Sequence, residues 1–182
     1  QTQPLLDGAG LRDEFGREVM RMSYAYPGVQ AHMLEYLEEL LGYGPDGICF
    51  AFNRSLPLMI CEEPVLEAFR QRYGRAPKLP EECDSPELLA VRHELLAEFI
   101  GKVQALLQRH GAVFSGIADH SDERNRLLGL DLELLVQRGL VEAIYTTGAA
   151  HRQTYWQRLR DAYPVKIYSS VYYGHEHGEA PP

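Results

Sequence analysis

The fold of this chain is decided by one stretch, Tyr43-Gly-Pro-Asp-Gly-Ile-Cys-Phe-Ala-Phe-Asn-Arg54. Glycine, proline and aspartate form a turn, and a short apolar run from Ile48 to Phe52 follows it. An apolar run of this length after a turn predicts a buried strand. Helical patterns flank the run, so we expect the strand to be parallel to its neighbours and covered on both faces. Ligands of α/β sheets and barrels lie at the carboxyl ends of strands, which makes Asn53 and Arg54 the first candidate site residues.

Further strands alternate with helices along the rest of the chain. We predict strands at 112–118, 141–145 and 165–171, with a shorter one at 17–22. Helical spacing of apolar residues fills the intervals, and Ser85-Pro86-Glu87 is a capping signal for a long helix that ends near residue 110. Strict alternation implies parallel strands with right-handed crossovers. Four or five strands are too few for a closed eight-stranded barrel, so the fold class is α/β with either an open sheet or part of a barrel.

The length predicts one domain over residues 1–182 with a substantial core. Residues 1–16 are polar and carry three glycines, which indicates a loop or a ragged N-terminal segment. Residues 121–128 are charged and are predicted to form a loop, and residues 174–182 are predicted to form a polar tail.

Composition limits the possible partners. The formal net charge is −8, which argues against a nucleic-acid or anionic-membrane binder, since both need a basic face. No apolar run approaches ~18 residues, so we expect no membrane span. The motifs give no zinc pattern, no phosphate loop and no serine-hydrolase elbow, so we expect neither metal nor cofactor. Of the cysteines, Cys49 is predicted to be a buried thiol in its strand, whereas Cys61 and Cys83 are either free or paired in an oxidising compartment.

Several short motifs follow one another in a family-like order. They are Tyr26-Pro27-Gly-Val29, Leu37-Glu-Glu-Leu-Leu41, Gly44-Pro-Asp46-Gly47-Ile48 and Phe52-Asn-Arg54, continued by Glu67-Ala-Phe69, Arg72-Tyr73-Gly74, Arg92, Asn125, Gly129-Leu-Asp131 and Gly139-Leu-Val141. This order resembles the glycosyl-hydrolase-like (β/α)8-barrel proteins related to family 10 glycosidases. The resemblance implies a parallel-stranded partial TIM-type barrel with four to five strands, from the middle to late part of the full barrel. It also implies hydrolysis of a glycan or polysaccharide at the carboxyl ends of the strands, and it favours a secreted or periplasmic location.

One position departs from the family pattern. Members with this motif carry an aspartate just before the aromatic–x–Arg ending of the strand, where this chain has Ala51. Glycoside hydrolysis normally uses two carboxyl groups, about 5 Å apart for retention and about 6.5–9.5 Å apart for inversion. Three hypotheses therefore stay open: a glycosidase whose acids lie elsewhere, a catalytically inactive barrel that binds carbohydrate or serves as a scaffold, or an unrelated open α/β domain that binds a small molecule.

The strand ends supply the candidate residues for this chemistry. Asp119 ends the second strong strand and is the first candidate for general acid/base chemistry, against the alternative of a turn cap. His120 beside it is a candidate for substrate binding or a solvated loop residue. Arg54 could clamp a sugar hydroxyl or pair with a loop acid. Tyr145 ends the third strand and lines a pocket or belongs to the core.

The C-terminal segment adds two more candidates. Glu176 follows the fourth strand and is the second candidate catalytic carboxylate, and Tyr172 is an aromatic side chain that could stack on a sugar ring or pack against the chain end. A partial barrel also leaves strand edges exposed, and exposed edges invite pairing. We therefore expect either a homo-oligomer or a sheet that is completed by further barrel segments.

Overall fold

The computed structural model of the chain describes residues 9–53, 57–147 and 154–170. Helices and strands alternate through most of this range. The helices are α1 Pro27–Leu41, α2 Glu63–Tyr73, α3 Pro86–Arg109, α4 Asp122–Leu127, α5 Leu132–Gln137 and α6 Thr154–Ala162. The strands are β1 Gly10–Arg12, β2 Glu18–Met22, β3 Gly47–Ala51, β4 Val113–Ala118, β5 Ala143–Thr147 and β6 Lys166–Ser170.

The last four strands form a parallel sheet in the order β3-β4-β5-β6. Each strand pairs with the next one along the chain, and one register row joins Ala51, Ile117, Tyr145 and Tyr168. Sequential parallel strands with helical connections are the progression of a TIM-type barrel. The predicted α/β fold class with a parallel sheet and flanking helices is therefore confirmed.

Local sequence signals set the starts of the helices. The Ser85 hydroxyl accepts a hydrogen bond from the Leu88 amide at 3.2 Å, which caps the long helix α3. The Asp131 carboxylate accepts from the Leu134 amide at 3.0 Å and caps α5. The helix α3 buries an apolar stripe that includes Leu96, Ile100 and Val103 in the main core. Of the helices in the described ranges, none combines the length and apolarity that a membrane span needs.

The two faces of the parallel sheet have different surroundings. On the face that the helices cover, Phe114, Ala118 and Ile144 are at most 1% exposed. On the opposite face, which we call the open face, Val113, Tyr145 and Tyr168 are 42–48% exposed. The alternation follows from the two-residue period of strands, which sends successive side chains to opposite faces.

The prediction that β3 is buried on both faces is wrong. β3 is an edge strand of the described sheet, and its pleat places Cys49 and Ala51 on the open face, where both are exposed. The prediction of a buried Cys49 thiol is wrong for the same reason. An apolar run predicts a strand, but it does not say whether both faces of that strand are covered.

Two segments that the sequence predicted as loops contain regular structure. Gly10–Arg12, inside the predicted loop 1–16, forms β1 and pairs antiparallel with β2. The Asp13 carboxylate holds the hairpin turn by accepting from the amides of Phe15 and Arg17. Asp122–Leu127, inside the predicted loop 121–128, forms α4, which is capped by the Ser121 hydroxyl. The predicted tail 174–182 lies outside the described residues.

Candidate functional site

The carboxyl ends of the four parallel strands meet at one edge of the sheet, which we call the rim. Ala51 and Ile117 are register partners, and Asn53 and Asp119 each follow two residues later. Asn53 and Asp119 therefore follow the carboxyl ends of two neighbouring strands, each two residues after this register pair. The sequence analysis named both residues as strand-end candidates, and both follow the ends of paired strands.

Asp119 lies in the turn between β4 and α4 and is 8% exposed. Its Oδ1 accepts a hydrogen bond from the Ser121 amide at 2.9 Å and lies 3.2 Å from His120 Nδ1. Its Oδ2 lies 3.5 Å from Arg124 Nε. The bond to Ser121 is the turn cap that was the alternative for Asp119, so the carboxylate has a structural role in addition to any chemistry.

The backbone of this turn is clamped by side chains. The fully buried Asn125 amide donates to the Asp119 carbonyl and accepts from the Asp119 amide, both at 2.9 Å. The Trp156 indole donates to the His120 carbonyl at 2.8 Å. A catalytic or binding group needs supporting residues that fix its position. Asn125 and Trp156 supply that support from α4 and α6.

The His120 carbonyl is held by Trp156, but its side chain is 50% exposed to solvent. It sits beside the Asp119 carboxylate, within reach of a ligand at the rim. A histidine next to a carboxylate can move a proton or donate a hydrogen bond to a sugar hydroxyl. The structure therefore brings two of the predicted site residues, Asp119 and His120, into direct contact.

Tyr145 lies one layer below the rim on the open face. Its ring stacks on that of Tyr168 with centroids 5.1 Å apart and an angle of 18° between the planes. Of the two readings that the sequence left for Tyr145, the core reading is wrong, because the side chain is 42% exposed. The pair presents an exposed aromatic surface below Asp119.

Asn53 has an incomplete set of hydrogen bonds. The residue is half-buried, and its Oδ1 is buried without a donor among the described residues. A buried carbonyl oxygen without a partner is uncommon and costly. This atom is thus an acceptor without a described protein donor at the carboxyl end of β3. Three other predicted site residues, Arg54, Tyr172 and Glu176, lie outside the described residues.

A second set of charged residues connects α4 to neighbouring helices. Arg126 pairs with Asp131 at 2.8 Å and with Asp122 at 3.1 Å, and the His93 ring contacts the Arg126 carbonyl at 3.0 Å. Burial lowers the pKa of His93 and raises the pKa of Tyr155, so both side chains favour their neutral forms. The contacts of Arg126 connect α4 to α3 and to the start of α5, so we assign these residues a structural role.

Sequence reasoning missed three residues that matter for the site: Asn125, Trp156 and Tyr168. Tyr168 had a signal, because it alternates with Ile167 in a predicted strand. Asn125 occurred only as one residue of the family-like motif order, with no role attached to it. Trp156 had no signal, since its hydrogen bond joins α6 to a turn 36 residues earlier in the chain. Among the described ranges, no group of three or more His, Cys, Asp or Glu side chains could hold a metal ion.

Comparison with known proteins gives a structural likeness without a sequence match. No protein-family model matches the sequence, and no curated protein matches it. The structure is similar to that of the glycoside hydrolase domain of PgaB (BpsB) from Bordetella bronchiseptica, with a TM-score of 0.57 and 13% sequence identity. The match covers 84% of this chain and 50% of that chain. The likeness supports the glycoside-hydrolase-like barrel fold, and the parallel sheet is consistent with part of a TIM-type barrel.

Proposed function

We propose that this chain is part of a glycoside-hydrolase-like barrel that acts on a glycan, with Asp119 as a general acid or base. The observation that carries the proposal is the placement of Asp119 at the carboxyl end of β4, in contact with His120 and above the exposed Tyr145 and Tyr168 pair. Strand ends are where barrel enzymes hold catalytic groups. Paired aromatic rings offer an apolar surface for the face of a sugar ring.

The neighbouring polar groups fit this role. Asn53 offers an acceptor at the end of the strand next to that of Asp119, and His120 offers a ring nitrogen beside the Asp119 carboxylate. Arg54, Tyr172 and Glu176 remain proposals for substrate binding and for the second carboxylate. The relation to family 10 glycosidases and a secreted or periplasmic location likewise remain proposals. A carbohydrate is the proposed ligand, and the acidic charge supplies no basic face for nucleic acid.

A second function, carbohydrate binding without turnover, is favoured by Ala51. This exposed residue lies on the open face, one strand away from Asp119 and two residues lower. An aspartate there would place its Cα about 8 Å from that of Asp119, from the usual rise and strand spacing. Carboxylates from these two neighbouring positions could approach each other at the rim, as the two acids of a glycosidase do. The loss of this carboxylate is the specific reason to keep the binding hypothesis.

The exposed edge of β3 and the open face support a further part of the proposal. They would be covered by additional barrel segments or by a second copy of the chain, because unpaired strand edges and apolar faces tend to associate. A monomer in solution whose sheet is fully closed would contradict this part.

Asp119→Asn tests the catalytic hypothesis while sparing the turn, because the asparagine oxygen can still accept from the Ser121 amide. Asp131→Asn is the matched control, since Asp131 also caps a helix and pairs with an arginine, away from the open face. The measurement is turnover of a panel of chromogenic glycosides, with glycan binding followed by calorimetry. We expect Asp119→Asn to lower turnover by about 10²–10⁴-fold and to retain binding, and Asp131→Asn to change neither.

The same panel separates the two hypotheses. Glycan binding without any turnover by the unchanged chain contradicts the enzyme and supports the binding module. In that case we expect Ala51→Asp to be the substitution that restores measurable hydrolysis. Absence of both binding and turnover across the panel contradicts both hypotheses.

A further inference from the structure

Two cysteines that are distant in sequence come together beside a buried arginine. Cys61 precedes α2 and Cys83 precedes α3, and their sulfur atoms lie 3.5 Å apart. Cys61 is 4% exposed, whereas Cys83 is half-buried. A disulfide bond has sulfurs about 2.05 Å apart, so a closing movement of about 1.5 Å would join them.

The arginine is Arg92 of α3, which is 1% exposed. Its Nη2 lies 3.3 Å from Cys83 Sγ and 3.6 Å from Cys61 Sγ. Two backbone carbonyls fix the guanidinium. Nε donates to the Ile60 carbonyl and Nη2 donates to the Cys83 carbonyl, both at 2.7 Å. The cation is thus held in one position, against both sulfur atoms.

The charge of Arg92 is only partly balanced. Its ion pair is with Asp84 at 3.4 Å, and that carboxylate is 65% exposed and therefore screened by solvent. Glu62 is buried nearby, but its two oxygens accept hydrogen bonds from the amides of Arg12 and Ile60, at 3.1 and 2.8 Å. A buried cation whose ion pair is screened by solvent gains from a further anion in direct contact with it. A thiolate at Cys83 would supply that anion.

We propose that Cys61 and Cys83 form a reversible redox site whose co-substrate is a low-molecular-weight disulfide such as oxidised glutathione. Cys83 is the nucleophile, because it is the more exposed cysteine and lies closer to Arg92. Cys61 is the resolving cysteine. This proposal does not rest on the proposed action on a glycan.

The exchange takes place in two balanced steps. The Cys83 thiolate attacks one sulfur of the small disulfide, whose S–S bond breaks, and one thiolate leaves and takes up a proton. The Cys61 thiol then loses its proton to solvent and attacks the Cys83 sulfur, releasing the second small thiolate, which is also protonated. Two cysteine thiols are oxidised by two electrons, and one small disulfide is reduced to two thiols.

Electrostatics supports these roles. The hydrogen bond with Cys61 and the nearby Arg92 lower the pKa of Cys83, against the opposing effects of burial and of Asp84. The hydrogen bond to Cys83 and burial raise the pKa of Cys61. Arg92 also stabilises the reduced state of the pair, and stabilisation of the reduced state makes a disulfide easier to reduce. The site is therefore a reversible pair and differs from a permanent structural cross-link.

The test is incubation of the reduced full chain with oxidised glutathione, followed by peptide mapping. We expect a peptide that joins Cys61 to Cys83, which disappears on addition of dithiothreitol. Cys61→Ser keeps a hydrogen-bond donor and should stop at a glutathione adduct on Cys83. Cys49→Ser is the matched control, because Cys49 is exposed on the open face, and it should form the same Cys61–Cys83 peptide.

The pH dependence of the rate of adduct formation distinguishes a reactive Cys83 from a cysteine that has only a structural role. Between pH 7 and pH 6, the rate at which a free reference thiol such as N-acetylcysteine reacts with oxidised glutathione should fall about tenfold. In Cys61→Ser, the rate at Cys83 should fall clearly less than that. Modification of Cys49 without a Cys61–Cys83 peptide, or a tenfold fall at Cys83 equal to that of the reference thiol, would overturn the proposal.

Discussion

Val113 and Phe114 adjoin each other in β4 and face opposite sides of the sheet. Phe114 is 1% exposed among side chains of the helices, whereas Val113 is 46% exposed on the open face. The same contrast recurs in β5, where Ile144 is fully buried and Tyr145 is 42% exposed. Each strand therefore divides its residues between the core and a surface that remains accessible.

The difference in exposure between the two faces separates the residues that stabilise the fold from those that are accessible to a ligand. Burial of large apolar side chains supplies most of the favourable free energy of folding, so the covered face carries the stability. The open face contributes less to the core and is free to hold Tyr145, Tyr168 and the rim residues. In a barrel this face would point to the interior, next to the site at the carboxyl ends of the strands.

The largest expected effect follows from removing a side chain of the covered face. Phe114→Ala should lower the free energy of unfolding by about 3–5 kcal/mol, because it deletes a buried ring and leaves a cavity. Val113→Ala, one residue away, should lower it by about 1 kcal/mol or less, because its side chain is half exposed. Urea denaturation followed by circular dichroism measures both. Equal losses in the two variants would contradict the difference between the faces.

A smaller effect is expected at the junction of the two regions, in the turn that holds Asp119. Asn125→Ala removes two hydrogen bonds to the Asp119 backbone and leaves a buried amide and carbonyl without partners. We expect a loss of about 2–4 kcal/mol in the free energy of unfolding. Arg124→Ala is the control, because its side chain is 57% exposed, and it should change stability by about 0.5 kcal/mol or less. An unchanged free energy of unfolding in Asn125→Ala would show that these two hydrogen bonds do not stabilise the turn.

The covered face was more predictable from sequence than the open one. Turn residues, apolar runs and capping signals depend on neighbours in the chain, and they predicted the four parallel strands and the long helix α3. The exposure of Cys49 and Ala51 was not predictable, because an apolar strand does not show what covers each face. The helix α4 was missed because its residues are charged. Its internal pair of Asp122 with Arg126 is a local helical signal, whereas its ion pairs with Asp119 and Asp131 form only in the folded chain.

The candidate site was predictable where it depends on strand ends. Asp119 and His120 follow from the end of an apolar run, and the parallel register then places Asn53 after the end of the neighbouring strand. Contacts between distant segments were not predictable from any local pattern. Examples are the Trp156 bond to the His120 carbonyl and the contact of Arg92 with the two cysteines, whose pairing was only one of two alternatives in the sequence. Such contacts depend on how helices pack on the sheet.

The smallest effect on stability is expected at the aromatic pair of the open face. Tyr145→Leu and Tyr168→Leu should each lower the free energy of unfolding by about 0.5–1.5 kcal/mol, because they remove one exposed stacked contact. Tyr43→Leu is the matched control: Tyr43 is 80% exposed in the turn before β3, away from the sheet face. If the open face binds a sugar ring, the two face variants should also weaken glycan binding about tenfold, equivalent to about 1.4 kcal/mol. Calorimetry measures the glycan affinity of each variant. Equal affinity in all three variants would show that the aromatic pair is not part of the binding site.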